Sequence, residues 1–425
     1  MESAETEQQQ AGGAGEPPLR APDREVVEIC RDLIRHDTSN YGDDTGPGER
    51  AAAEDVAGRL AEVGIEPRLY ESRPGRTTVM ARIPGRDPRR TDALLIHGHL
   101  DVVPADAADW THHPFSAEIA DGCVWGRGAV DMKNMDAMVL SVVRDRVRTG
   151  RLPDRPVVLC FPADEEAGGV LGAHWMVDNH PEEFEGCTEA IGEVGGFSLS
   201  VRDDLRLYLI ETAQKGIEWL RLTVEGTAGH GSMTNGDNAV TELAEAVARL
   251  GRHQWPLRLT PTVRSFLDGA SEAYGVPLDP TDPEQLTRVL GSVSRIINAT
   301  LRNTVNPTML KAGYKHNVIP GRAEAFVDGR VLPGHVEEFH ATLAEVLGPR
   351  VRRESVVSDI PLETSFDGAI VDAMGAALRS EDPGARPVPY CLSAGTDAKA
   401  LSRLGIRAFG FVPLRLPPEL DFAGM

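Results

Sequence analysis

The chain lacks any apolar run near the roughly 20 residues needed to cross a bilayer. It therefore offers no membrane span. Its first residues, MESAETEQQQAGGAGEPP, have neither a basic start nor an apolar stretch, so they do not read as a secretory signal. Residues 1–22 read instead as a short disordered tail. Cysteine is sparse. Cys30, Cys123, Cys160, Cys187 and Cys391 are scattered, odd in number and contain no CxxC pair. That pattern argues against a disulfide framework and points to a reduced, cytoplasmic setting, the thiols acting as small buried apolar groups. Positive charge is in deficit, 44 Lys and Arg against 65 Asp and Glu, for a net charge of −21. Nucleic acid and anionic membrane are poor partners for such a chain, since both need a basic face. The first strand–helix junction also lacks a GxGxxG loop, which leaves a nucleotide-binding reading weak.

At 425 residues the chain exceeds what one core usually organises, so two domains are expected. Val26, Ile29, Cys30, Leu33 and Ile34 recur at helical spacing within Arg24–Arg35. Glu49–Val63 is a second amphipathic helix, stopped at Gly64. Strands follow at Thr77–Ile83, Ala93–Ile96 and Val157–Phe161, with helices at Met135–Val147 and Val170–Asn179. Strands that are continuous apolar runs alternating with helices predict an α/β domain. Its sheet is mostly parallel and covered on both faces by helices. Ligands bind such sheets outside the carboxyl ends of the strands.

The pattern changes near Gln214. Glu218–Glu225 alternates like a half-exposed strand, and a β-α-β-β-α-β order continues to Asp359. That order resembles a ferredoxin-like α+β domain inserted in the first. The expected division is 23–214 and 361–425 for the first domain and 215–360 for the insert. Residues 252–300 fit the insert poorly and read as an insertion with Pro-rich ends.

Three apolar segments end in metal-binding or acid–base residues: Ala93–Asp101 (ALLIHGHLD), Val157–Glu166 (VVLCFPADEE) and Thr188–Glu193 (TEAIGE). One such ending is ordinary; three suggest one site along one sheet edge. His99 can ligate a metal if it is neutral and aimed, and Asp101, two residues on, can fix its tautomer. His97 competes, because it shares a strand face with His99. Asp131 lies in the Gly-rich turn GRGAVDMKN, where a lone aspartate would serve as a helix N-cap and a metal-site aspartate could bridge two cations. Glu165 and Glu166 are like charges side by side, which calls for a cation or a proton on one of them. One would bind metal while the other moves a proton between the attacking water and the leaving amine. Glu193 stands alone in IGEVGG, and burying it unpaired would cost several kcal/mol. Further on, His230 lies in TAGHGSM, Asn317 in KHNVIP and Arg330 in DGRVLPG. His230 could donate to a developing oxyanion and Arg330 could grip a carboxylate. Gly395, Thr396 and Asp397 form a polar turn suited to lining a cleft.

HLDVVP, GRGAVDMK, PADEEAGG, GEVGG, GHGS, NVIP and GTDAK stand in the order and spacing of a known family. From about Val26 onward the chain resembles family twenty of the metallopeptidases. That family includes acetylornithine deacetylase, succinyl-diaminopimelate desuccinylase, aminoacylases and glutamate carboxypeptidases. The resemblance implies a zinc-peptidase-like catalytic domain, an inserted dimerisation or lid domain, a homodimer and two zinc ions per subunit. His99, Asp131 and Glu193 would hold one zinc, and Asp131 with Glu166 the other. Asp101 would orient His99, and Glu165 would be the general base. His230 would reach the partner subunit's site, and Asn317, Arg330, Gly395 and Thr396 would bind substrate. The Asp131–Met132 peptide would be cis. The implied activity is zinc-dependent cleavage of the amide bond of an N-acyl amino acid or a small peptide. The family's final histidine ligand has no counterpart, since no histidine follows His340. The expectation is a truncated chain with an incomplete second metal site and an uncovered apolar patch near Phe409, Phe411 and Leu414. The competing expectation is a catalytically impaired relative that serves as a binding or dimerisation protein.

Overall fold

The computed structural model describes residues 21–43 and 45–418. The expected tail, 1–22, lies outside them save its last two residues. These open the first helix, Ala21–Arg35, where Pro22 sacrifices no helical hydrogen bond because first-turn N–H groups have no partner anyway.

A ten-stranded mixed sheet dominates. Its order is Pro67–Arg73, Arg76–Ile83, Val157–Phe161, Ala93–His97, Cys187–Gly192, Arg407–Gly410, Leu205–Gln214 and Leu362–Glu363. Phe197–Arg202 and Ala385–Leu392 also pair with Leu205–Gln214. The four strands from Val157–Phe161 to Arg407–Gly410 are parallel, so the centre is as expected. The flanks carry antiparallel pairings as well.

Alternate residues of one strand serve opposite layers, which is why these strands read as unbroken apolar runs. Leu159 and Phe161 pack with Leu33, Ile34, Leu60 and Leu140 from the helices Ala21–Arg35, Arg50–Ala61 and Lys133–Arg148. Val158 and Cys160 pack on the other face with Met176, Phe184 and Leu401.

A second, four-stranded antiparallel sheet runs Thr304–Ala312, Arg322–Val331, Gly216–Glu225, Arg352–Asp359. Ala323, Ala325, Val327 and Val331 point to the same face. They pack there with Leu243 and Leu250 of helix Ala239–Arg252 and Phe339 and Leu343 of helix Val336–Leu347.

The stretch read as an ill-fitting insertion forms three helices, Pro261–Tyr274, Pro283–Leu290 and Val293–Thr300. They do not join the four-stranded sheet, as the 215–360 division implied. Val263, Phe266, Leu286 and Ile297 bury against Leu207, Leu209, Val388 and Tyr390 of the large sheet. The expected patch at the far end is also not open: Phe409 is buried in that sheet, and Phe411 and Leu414 are half-buried.

Candidate active site

The strands Val157–Phe161, Ala93–His97 and Cys187–Gly192 are parallel neighbours, so their carboxyl ends lie side by side. Each chain end then turns into one of the polar motifs. This topology brings together residues far apart in sequence. Ligand atoms of His99, Asp131 and Glu193 all lie within 4.8 Å of one another. His99 Nε2 is 3.0 Å from Asp131 Oδ1, 3.6 Å from Glu193 Oε2 and 3.9 Å from Glu165 Oε2.

His97 is not part of this group. Its ring packs against Gly192, where an added Cβ would fall 2.1 Å from Nε2, and that nitrogen has no hydrogen-bond partner. Burial lowers its pKa to about 4, so it stays neutral.

Burial by itself would lower the pKa of His99. The facing Glu193 carboxylate and the hydrogen bonds to Asp101 and Asp131 outweigh it and hold the imidazole well above its usual range. Burial and Glu193 hold the Glu165 carboxyl well above its usual range. Burial also lifts Glu166, to about 7, with His99 opposing and Asp131 reinforcing. Among the described residues, His99 is the only ion-pair partner of Asp131, Glu165 and Glu193. One imidazole nitrogen and several carboxylates converging with no other direct ion-pair partner among the described residues make a donor set that fits a divalent cation.

The Asp131–Met132 peptide is cis. Two non-glycine residues beside the site take left-handed backbone, Asp164 at φ 69° and Val194 at φ 55°. For a β-branched valine this is a true outlier, of the kind that accumulates at functional sites.

Glu166 stands slightly apart from the three-residue group. Its Oε1 accepts from Val103 N at 3.1 Å. Glu165 and Glu166 both line a cavity of about 740 Å³ between the two sheets. Arg330, Gly395, Thr396 and Asp397 line it too, with Tyr41 and Trp219. Arg330 is held in a fork by Asp328, at 2.7 and 3.1 Å. Thr396 is fixed by Gln214, which donates to its hydroxyl at 2.7 Å and accepts from its N–H at 3.0 Å.

Within one chain, His230 and Asn317 do not join this cavity lining. They meet each other instead: the two-residue strands Gly229–His230 and Val318–Ile319 pair, and Gly231 N donates to Asn317 O at 2.9 Å. His230 is exposed, its Nδ1 2.8 Å from Ser232 Oγ.

Motif reading missed Asn40, Arg76, Glu49 and Asp164, which form a buried polar group behind Asp101. Asn40 Nδ2 donates to Asp101 Oδ2 at 2.9 Å and to Asp164 Oδ1 at 3.1 Å. Arg76 is ion-paired with Glu49 and donates to Asn40 Oδ1 at 2.8 Å. The available signal was a buried-strand arginine in RTTVMARI with no nearby acid in sequence.

The model of Peptidase family M20/M25/M40 matches residues 95–419. Aminoacylase-1 from Sus scrofa is 27% identical over 412 residues, 93% of this chain and 88% of that protein. The probable carboxypeptidase S-like 2 of Dictyostelium discoideum is 27% identical over 352 residues, a match covering 76% of this chain and 65% of that protein's length. Among solved structures, the M20 family metallo-carboxypeptidase Sso-CP2 from Sulfolobus solfataricus superposes with a TM-score of 0.68 at 19% identity, covering 91% of each chain. At that identity the likeness is one of fold.

Proposed function

The chain belongs to peptidase family M20/M25/M40, and from that premise we propose that it is a zinc-dependent hydrolase of amide bonds. Its substrates would be N-acyl amino acids or small peptides bearing a free carboxylate. The observation that carries this reading is the convergence of His99, Asp131 and Glu193, with Glu165, which also lines the inter-sheet cavity, 3.9 Å from the His99 ring.

His99, Asp131 and Glu193 would hold one ion, and Asp131 with Glu166 a second. Bound there, such ions supply Lewis-acid polarisation of the scissile carbonyl and make water a better nucleophile at neutral pH. Glu165 takes the proton from the attacking water and delivers it to the leaving amine. Asp101 keeps the His99 ring oriented. Arg330 leaves part of its fork with Asp328 and offers the rest to the substrate carboxylate. Tyr41, Val103, Trp219 and Val357, all exposed in the cavity wall, favour an apolar substituent.

We treat residues 23–214 and 361–425 as the catalytic part and the four-stranded sheet with its two helices as a lid and dimerisation part. The β-α-β-β-α-β order with an antiparallel sheet supports a ferredoxin-like description. In a homodimer the exposed His230–Asn317 turn would serve the partner subunit's cavity. Five free cysteines suit a reduced, cytoplasmic compartment. The test is metal content of the purified protein, together with a screen of N-acyl amino acids and dipeptides in added zinc. Absence of both a bound divalent ion and any hydrolysis would overturn the reading.

A further inference from the structure

We propose that Asn40 is a positioning residue of the metal centre, fixing the Asp101 segment that aims His99; the inference rests on the functional reading above. The side chain is buried and uses every hydrogen bond a carboxamide can make. Its Nδ2 donates to Asp101 Oδ2 and Asp164 Oδ1. Its Oδ1 accepts from Arg76 Nη2 at 2.8 Å and Gly42 N at 3.0 Å. Two carboxylates on one side and two N–H donors on the other also assign which way the amide points. With no donor or acceptor left over, Asn40 cannot bind substrate through its amide, although it borders the cavity.

Its effect on His99 runs through both parts of Asp101. His99 Nδ1 lies 2.9 Å from the Asp101 carbonyl oxygen and 3.4 Å from Asp101 Oδ1. Asp101 Oδ1 accepts from Glu165 N at 3.0 Å, leaving Oδ2 to be held by Asn40 and Glu166 N. Asn40 supplies the only side-chain donor among the described residues in the set of three that fixes the rotation of the carboxylate about its own axis. The backbone is strapped as well. Asn40 N donates to Val102 O at 2.9 Å, Val102 N to Thr38 O at 3.2 Å, and Thr38 Oγ1 to Leu100 O at 2.8 Å. A short parallel bridge, Ser39 to Val102, flanks Asp101 directly.

The experiment uses the full chain, stripped of metal and titrated with zinc against a chromophoric chelator, and separately loaded with cobalt(II) for its visible spectrum. Asn40→Ala is expected to weaken the tighter zinc site about tenfold, the low end for lost outer-shell support, and to change the cobalt spectrum. Arg76→Lys keeps the charge but loses the fork that orients the amide. It should move both readouts the same way by a smaller factor, and it decides the matter if Asn40→Ala fails to fold. Asn238→Ala removes a helix N-cap in the other sheet's layer and should change neither readout. Wild-type affinity and spectrum in Asn40→Ala, or an equal change in Asn238→Ala, overturns the inference while leaving the functional reading intact. A wild-type chain that takes up no zinc overturns both.

Discussion

Glu165 and Glu166 are adjacent, yet their surroundings divide them. Glu165 Oε2 approaches the His99 ring at 3.9 Å, whereas Glu166 Oε1 is anchored to Val103 N. Replacing a general base by its amide should cost about 10²–10⁴-fold in turnover. Glu165→Gln is therefore expected to lose activity on that scale with its zinc content unchanged, and Glu166→Gln to lose zinc as well. Metal analysis beside kinetics of the two variants checks this; equal zinc loss in both would mean the roles are wrongly divided. These acids were legible in the sequence because each ends an apolar strand, a place where a buried charge needs a reason. Asn40 was not. TSN reads as an ordinary turn, and its partners Asp101 and Asp164 are 61 and 124 positions away.

Among the elements, the central strands were legible for the same reason that they are central: both faces are buried, so the apolar run is unbroken. The helices between residues 261 and 300 were not, because they are amphipathic and nothing local says which sheet their apolar faces will meet. The alternation that marked Glu218–Glu225 as half-exposed is a surface signal and carries no partner address either. The end of the last of these helices is pinned by Lys215, placed between the last residue of Leu205–Gln214 and the first of Gly216–Glu225. Its buried amino group donates to Ala299 O at 3.0 Å, Arg302 O at 2.9 Å and Thr304 Oγ1 at 3.0 Å. It thereby satisfies carbonyls that the end of helix Val293–Thr300 leaves open. Lys215→Met should orphan these two carbonyls and cost about 2–6 kcal/mol, at about 1–3 kcal/mol for each buried unsatisfied group. Urea unfolding measures the loss, and the cobalt spectrum of the folded variant should match wild type.

Over the whole molecule, buried acids set the response to pH. Burial above all lifts Glu49 and Glu166 to about 7 and Glu211 to about 8. The folded state keeps protons there that the unfolded chain has released from about pH 4.5 upward. Folding stability of the metal-free protein should therefore fall as pH rises from about 4.5 to 8. A divalent ion needs the ionised carboxylates, so it should stabilise more at pH 8 than at pH 5. Melting temperature with and without chelator at the two pH values checks this; an equal chelator effect at both would contradict it. The strand Arg407–Gly410 adds a constraint in time. It is slotted in parallel beside Cys187–Gly192 and also pairs with Leu205–Gln214. An added Cβ on its Gly410 would meet the Glu193 carbonyl oxygen at 2.4 Å. During synthesis the ribosome delivers His99, Asp131 and Glu193 long before it delivers this strand. Without this strand the sheet would have two unpaired edges beside Glu193, the kind of surface that invites wrong pairing. Arg407–Gly410 thus closes the sheet beside Glu193, and a ligand set that depends on Glu193 being held in place depends on that closure.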